Sequence, residues 1–190
     1  MWHDFVLDAQ FLIVLIETDK QIAERIRKQG CPFCENGQLH RSDYPRKPRG
    51  IIGDAESGFD RRISFCCNSE GCRKRCTPPS VRFLGRKVYV GFIVIVAMIE
   101  KSARVEPRPE VPKRTLHRWE TWWQQILVAS DFWEEKRGNF AAPIDETQLP
   151  LSLLSLFAAP GHEALMRCLE FLCPVTTATC GRITFFEGRK

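Results

Sequence analysis

The sequence has no apolar run long enough to cross a membrane. Its longest, "VYVGFIVIVAMI" at 88–99, is well short of the ~20 residues that a spanning helix needs. The first twenty residues carry acidic side chains where a secretory signal carries basic ones. These two absences argue against a membrane partner. They predict a cytoplasmic protein in which 88–99 forms a buried helix.

The sequence also has little of what common catalytic sites need. Its four histidines are scattered, and it has no glycine-rich phosphate loop. A transposase-type nuclease needs three carboxylates around its metal ions. Acidic residues do follow residue 80, but none comes after a run of strand-like residues as that fold requires. We therefore predict a non-enzymatic protein.

Cysteine, by contrast, is abundant: there are nine, and six of them lie between 31 and 76. In a chain without a secretory signal, such clustering favours metal binding over disulfides. Cys31-Pro-Phe-Cys34 is a tight turn that can aim two thiolates at one Zn²⁺, which then needs two more ligands. The candidates for these are Cys66, Cys67, Cys72 and Cys76.

The stretch "RRISFCC" at 61–67 favours Cys67 as the third ligand. In an alternating strand, Cys67 shares a face with Ile63 and Phe65, which must point into a small core. Cys72 then completes a second cysteine pair with Cys67, at the slightly long spacing C-x4-C. We call each cysteine pair with its turn a knuckle, so Cys31–Cys34 is the first and Cys67–Cys72 the second. The predicted ligands are therefore Cys31, Cys34, Cys67 and Cys72. Three alternatives stay open: Cys66 as the main rival of Cys67, then Cys76 and His40.

An all-thiolate site also limits what the metal can do. A catalytic zinc keeps an open position and usually includes histidine or a carboxylate. A redox site of thioredoxin type needs a following helix in a βαβ context, which the sequence lacks. The zinc is therefore expected to be structural.

Charge is unevenly distributed along the chain. The net charge is +5, but the segment from Arg41 to Lys87 has twelve basic and five acidic residues, so it carries +7 and the rest −2. A local positive field predicts a polyanionic partner, namely double-stranded DNA with structured RNA as the alternative. The expected phosphate contacts are Arg46, Lys47 and Arg49 in a loop, and Arg73, Lys74 and Arg75 beside the second knuckle.

Periodicity predicts a mainly α fold with a small β zinc ribbon inserted between helices. Residues 8–29 favour a helix with Gly30 as its C-cap, although a strand over 10–17 is an alternative. Further helices are expected near 85–104, 113–129 and 130–137, and in two short segments after 150. The predicted segments are 1–30 (helical), 31–80 (zinc ribbon), 81–140 (helix-turn-helix-like) and 141–190 (helical).

In "EVPKRTLHRWETWWQQIL", an apolar stripe combines Leu116, Trp119, Trp123 and Ile126. Basic side chains lie away from it in the N-terminal half, where a recognition helix places its DNA contacts. The predicted contacts are Lys113, Arg114, His117 and Arg118.

Two segments resemble known DNA-binding families. "CPFC…RRISFCCNSEGCRKRCTPPS" is similar to the zinc ribbons of insertion-sequence transposases, over about residues 30–80. It departs from them in a long gap between the knuckles and in a C-x4-C second pair. "VPKRTLHRW" resembles the recognition helix of helix-turn-helix domains in recombinases and transposases, although "VEPRPE" replaces the usual short turn.

These resemblances imply an accessory DNA-binding subunit of a transposition or recombination system, with a transposase or recombinase as partner and a place near the nucleoid. The alternative is a protein-interaction adaptor with a purely structural zinc, which assembles with a larger nucleic-acid enzyme through its apolar helices.

Overall fold

The structure is a computed structural model of the chain that describes residues 9–34, 36–46, 59–84, 91–103, 111–157, 159 and 161–179. Six α-helices and five very short strands occur in this part of the chain. This confirms the prediction of a mainly α protein with a small β part.

The chain divides into two compact units. The cysteine unit comprises Leu7–Val90 and Glu170–Lys190, and the helical unit comprises Met1–Val6 and Gly91–Leu169. Both units join segments that are distant in sequence. The four segments predicted above follow chain order instead, and that division stays a prediction.

The first element of the cysteine unit is helix α1, Ala9–Gln29. It buries Leu15 and Ile26 completely and leaves Ile13 and Val14 exposed, at 38% and 49%. Gly30 ends the helix with φ +83°, a left-handed conformation that glycine adopts without a Cβ penalty. The predicted helix is confirmed, and the alternative strand over 10–17 is wrong.

Five strands follow α1, and all their pairings are antiparallel. A three-stranded sheet has the order β1-β4-β5, and β2 pairs with β3 separately. Leu39 of β1 lies opposite Cys67 of β4, and Phe65 of β4 lies opposite Cys76 of β5. The strands are β1 (Leu39–Arg41), β2 (Tyr44–Pro45), β3 (Arg61–Arg62), β4 (Phe65–Cys67) and β5 (Arg75–Cys76).

Ile63, Phe65 and Cys67 are all buried, as the sequence predicted, but Arg62 and Ser64 are buried as well, so strict alternation holds only over 65–67. The single strand expected there is instead split at Ser64. The Ser64 N–H donates to the carboxylate of Asp43 at 3.2 Å. A side-chain oxygen therefore takes the place of the backbone carbonyl that a neighbouring strand would offer. The interruption divides the β region into two small sheets.

A buried ion pair fastens α1 to the segment after β5. The Asp19 carboxylate accepts hydrogen bonds from Arg82 Nε at 2.7 Å and Ser80 Oγ at 2.6 Å. The Arg82 guanidinium also lies 5.4 and 5.0 Å from the ring centroids of Phe59 and Phe83. Because Asp19 and Arg82 are each 1% exposed, each charge depends on the other for compensation.

The helical unit begins with α2, whose apolar residues 93–98 are all buried. The predicted buried helix is thus confirmed, with bounds Gly91–Ala103. Among the described residues, no helix is long and apolar enough to cross a membrane. The other helices are α3 (Lys113–Thr121), α4 (Asp131–Arg137), α5 (Leu151–Leu156) and α6 (Gly161–Leu172), which runs on into the cysteine unit.

The helix that starts at Lys113 changes its winding at Trp122. Residues Trp122–Leu127 form a π-helix, whose hydrogen bonds enclose one residue more than those of an α-helix. Leu127 is therefore buried and Ile126 is 58% exposed. The prediction that placed Ile126 on the apolar stripe is wrong, although Trp119 and Trp123 are buried as expected.

Two local predictions for the later helices are confirmed. Ser130 is the N-cap of α4, and its hydroxyl accepts a hydrogen bond from the Trp133 N–H at 3.3 Å. Two short helices, α5 and α6, follow residue 150.

Candidate metal centre and the basic surfaces

Four cysteine side chains converge in the cysteine unit. Cys31 directly follows the C-cap of α1, and Cys34 closes the turn after it. Cys67 ends β4, and Cys72 lies in the turn before β5. Their sulfur atoms all lie within 4.8 Å of one another. These are the four cysteines that the sequence predicted as ligands.

The distances between sulfurs suit a single ion. Cys31 Sγ lies 3.7 Å from Cys72 Sγ, and Cys34 Sγ lies 3.5 Å from Cys67 Sγ. Four thiolates in a tetrahedron, each about 2.3 Å from a zinc ion, are about 3.8 Å apart. The cluster therefore has the size of a tetrahedral metal site.

Gly37 is a residue of this site that the sequence analysis missed. A Cβ atom at this position would lie 2.1 Å from Cys67 Sγ and 2.8 Å from Cys34 Sγ. The Gly37 carbonyl also accepts a hydrogen bond from the Cys31 N–H at 3.0 Å. Only glycine lets the backbone pass this close to the sulfurs. The available signal was a glycine three residues after a C-x-x-C turn.

The electrostatics of the four thiols are unequal. Burial disfavours the charged form of Cys31, but the N–H groups of Phe33 and Cys34 outweigh it and lower its pKa to about 7. Burial, together with the neighbouring thiols, raises the pKa of Cys67 to about 12. Four thiolates this close repel one another, and a cation among them removes that penalty. The donor set therefore fits a dication.

The alternative ligands lie elsewhere. Cys66 and His40 face each other across β1 and β4. Because successive strand residues point to opposite faces, they lie on the opposite side from Cys67. Cys76 is fully buried against Phe65. Within the described residues, no other group of three or more Cys, His, Asp or Glu side chains converges in this way.

The two knuckles carry an exposed, mixed apolar and basic tip. Phe33 is 40% exposed, and Arg73 and Lys74 are also exposed. The Lys74 ammonium lies 5.3 Å from the centroid of the Phe33 ring. Phe33 of the first cysteine pair and Lys74 after the second therefore meet at one surface. Together with the adjacent exposed residue Arg73, we call them the knuckle tip (Phe33, Arg73 and Lys74).

The other basic residues predicted in the cysteine unit differ from those at the tip. Arg75 donates hydrogen bonds to the Ser42 carbonyl at 2.9 Å and to Ser64 Oγ at 3.1 Å. Arg46 is half-buried, with its guanidinium 5.2 Å from the Phe83 centroid. Both side chains already contact the protein itself. Lys47 and Arg49 lie outside the described residues.

All four polar residues predicted to contact DNA from α3 are exposed: Lys113, Arg114, His117 and Arg118. The His117 ring lies 3.7 Å from the Glu120 carboxylate, its neighbour one turn later. Nine residues separate Ala103 at the end of α2 from Lys113, whereas a helix-turn-helix has a turn of three or four. The helix-turn-helix assignment stays a prediction.

The cysteines near the C-terminus do not join the cluster. Cys168 and Cys173 are fully buried, and burial raises the pKa of both thiols. Their environment is that of inert core cysteines. Cys180 lies outside the described residues.

Comparison of this chain with protein-family models, with curated proteins and with solved structures found no match.

Proposed function

We propose that Cys31, Cys34, Cys67 and Cys72 hold one Zn²⁺ ion as a structural centre. Four thiolates in a tetrahedron suit zinc or iron, and an all-cysteine site leaves no open position for a substrate. Metal analysis of the purified protein tests this directly. We expect one zinc per chain, and stoichiometric iron with no zinc would overturn the assignment.

We further propose that the protein is a zinc-dependent, non-enzymatic DNA-binding protein. One observation carries this proposal: Arg73 and Lys74 directly follow a predicted ligand, Cys72, and are exposed. A metal that fixes the knuckle would therefore fix two cations at the surface. Cations held in place by a folded knuckle suit the phosphates of a duplex.

The exposed face of α3 supplies the second contact surface in this proposal. Lys113, Arg114 and Arg118 provide positive charge, and they lie in the first two turns of a helix whose opposite face is buried at Trp119. Arginine can contact base edges as well as phosphates. In this proposal α3 supplies sequence preference and the knuckle tip supplies affinity.

The cellular role follows from the resemblance to transposase zinc ribbons and recombinase helices. We propose an accessory subunit of a transposition or recombination system that recognises the ends of a mobile element. A transposase or recombinase would be its protein partner.

The salt dependence of duplex binding tests the proposal. With six to eight phosphates neutralised, the affinity for duplex DNA should fall roughly 10³-fold or more between about 50 and 200 mM salt. Fluorescence anisotropy with a labelled duplex measures this change. A salt-independent Kd would overturn phosphate docking.

Single variants locate the contacts. Lys74→Ala and Arg114→Ala should each weaken duplex binding and lower the salt slope by about one. Arg167→Ala is the matched control, because Arg167 is half-exposed and already paired with Glu163. An equal loss in the control would mean that net charge alone determines binding.

A second candidate function is favoured by Ile13 and Val14, which are exposed on α1. Adjacent exposed apolar side chains suit a protein interface better than a phosphate backbone. In this alternative the zinc is only structural, and the protein is an adaptor for a larger nucleic-acid enzyme. Assembly with a recombinase encoded nearby should then survive about 500 mM salt and be lost in Val14→Asp, whereas phosphate docking is lost in high salt.

A further inference from the structure

The knuckle tip contains a feature that duplex binding does not use, namely an exposed aromatic ring. Phe33 is 40% exposed, although it lies between two cysteines of a compact turn. Phosphate contact needs cations only, and the faces of paired bases are covered by their neighbours in a stacked duplex. The Phe33 ring therefore suits a ligand that offers an uncovered planar face.

The charges around Phe33 narrow the class of ligand. Lys74 Nζ lies 5.3 Å from the ring centroid, and Arg73, the residue before Lys74, is exposed. An aromatic ring for stacking and cations for the flanking phosphates are together what single-stranded nucleic acid requires. An acidic peptide would match the cations but would not use the ring.

The backbone of Arg73 provides an independent observation. Its φ is +47°, and no other non-glycine residue in the described part of the chain has a positive φ. The turn holds it there, since the N–H groups of Cys72 and Arg73 both donate to the Ser69 carbonyl at 3.0 Å. Glycine would adopt this conformation with less strain. A strained arginine at a surface turn points to a function for its side chain.

We infer that the knuckle tip binds an unpaired nucleotide of single-stranded nucleic acid, with the base stacked on Phe33 and its flanking phosphates on Arg73 and Lys74. This inference rests on the proposed function and specifies the ligand of the same surface. A protein that acts at the ends of a mobile element would meet such a nucleotide wherever the two strands separate.

Variants of Phe33 test the stacking contact. The probes are a labelled oligodeoxythymidine, the corresponding oligouridine, and a blunt duplex of equal length. Phe33→Leu keeps an apolar side chain but removes the ring, so it should weaken single-strand binding about 5- to 150-fold. Duplex affinity should stay unchanged. Phe33→Trp should restore or tighten single-strand binding.

Ile126→Ala is the matched control, because Ile126 is an exposed apolar residue, at 58%, that belongs to neither proposed binding surface. It should bind every probe as the wild type does. Metal content per chain confirms that each variant is folded at the knuckles. Arg73→Gly separates function from structure: it should keep the metal, relieve the strained backbone and still bind both probes more weakly.

Each outcome distinguishes this inference from the proposed function. Duplex binding by the wild type without single-strand binding overturns the inference alone. So does equal single-strand affinity of Phe33→Leu and the wild type with the metal retained. Failure of the wild type to bind any probe overturns both. The relative affinities for oligodeoxythymidine and oligouridine show whether the strand is DNA or RNA.

Discussion

The two units of this chain bury different kinds of side chain. Six buried polar or charged residues occur in the described part of the chain, and all six lie in the cysteine unit: Asp19, Arg62, Ser64, Ser80, Arg82 and Thr176. The buried residues of the helical unit are apolar, among them Trp119, Trp123 and Trp133. The contrast indicates that specific polar contacts stabilise the small β region, whereas the burial of apolar surface stabilises the helical region.

The physical reason lies in the size of the strands. No strand in the described part of the cysteine unit exceeds three residues, so these sheets can cover little apolar surface. Thiols and the buried Asp19–Arg82 ion pair then contribute what a larger core would supply. Such contacts depend on geometry, and removing one member leaves a buried group without its partner. Single substitutions should therefore act more sharply in the cysteine unit.

The largest effect is expected when a ligand is removed. Cys67→Ser should abolish stoichiometric metal binding and unfold the β region, because structural zinc contributes about 10–16 kcal/mol in zinc-finger peptides. Metal analysis and hydrogen exchange at β1, β4 and β5 measure the two effects.

Cys66→Ser is the control for this change, because Cys66 is the adjacent cysteine and faces away from the cluster. It should keep one metal per chain. Metal loss in Cys66→Ser but not in Cys67→Ser would reverse the ligand assignment.

A single methyl group should have the next largest effect. Gly37→Ala places a Cβ atom 2.1 Å from Cys67 Sγ, so a sulfur must move and the metal affinity should fall by orders of magnitude. Competition with a chromogenic chelator measures that affinity. Gly71→Ala, where no atom lies within 4 Å of the added Cβ, should bind metal as the wild type does. Equal metal affinities in the two variants would show that the backbone at Gly37 can shift to make room for the methyl group.

Removal of the buried acid should destabilise the cysteine unit by a smaller amount. Asp19→Ala leaves Arg82 buried without its partner, which costs about 3–5 kcal/mol. Hydrogen exchange of the α1 amides in increasing urea measures this loss. Glu24→Ala removes an exposed partner of Arg27 on the same helix and should cause no measurable change. Similar exchange in both variants would show that the buried Asp19–Arg82 pair does not stabilise the cysteine unit.

The smallest effect is expected in the π-helical segment of the helical unit, where the change of winding decides whether Leu127 or Ile126 faces the core. Leu127→Ala should cost about 2–5 kcal/mol, because Leu127 is 2% exposed. Ile126→Ala should change stability by less than about 0.5 kcal/mol. Urea unfolding followed by tryptophan fluorescence compares the two. The opposite ranking would mean that the helix continues as an α-helix through this segment.

Much of the candidate site could be predicted from the sequence because its signals are local. A C-x-x-C turn aims two thiols without help from the rest of the chain, and strand alternation separates Cys67 from Cys66. Gly37 could not be predicted in the same way, because its role depends on Cys67, thirty residues later in the chain. Arg75 is exposed like Arg73 and Lys74, but its hydrogen bonds to Ser42 and Ser64 depend on the pairing of β4 with β5 and could not be predicted.

The sequence by itself determined most of the helices and the turn that pairs Cys31 with Cys34, since periodicity and short spacings act within a few residues. Tertiary structure alone decided which backbone passes the sulfurs, which arginines stay exposed, and where the apolar stripe shifts at the π-helix. These outcomes depend on contacts between residues far apart in sequence, and no local pattern encodes a distance between such residues.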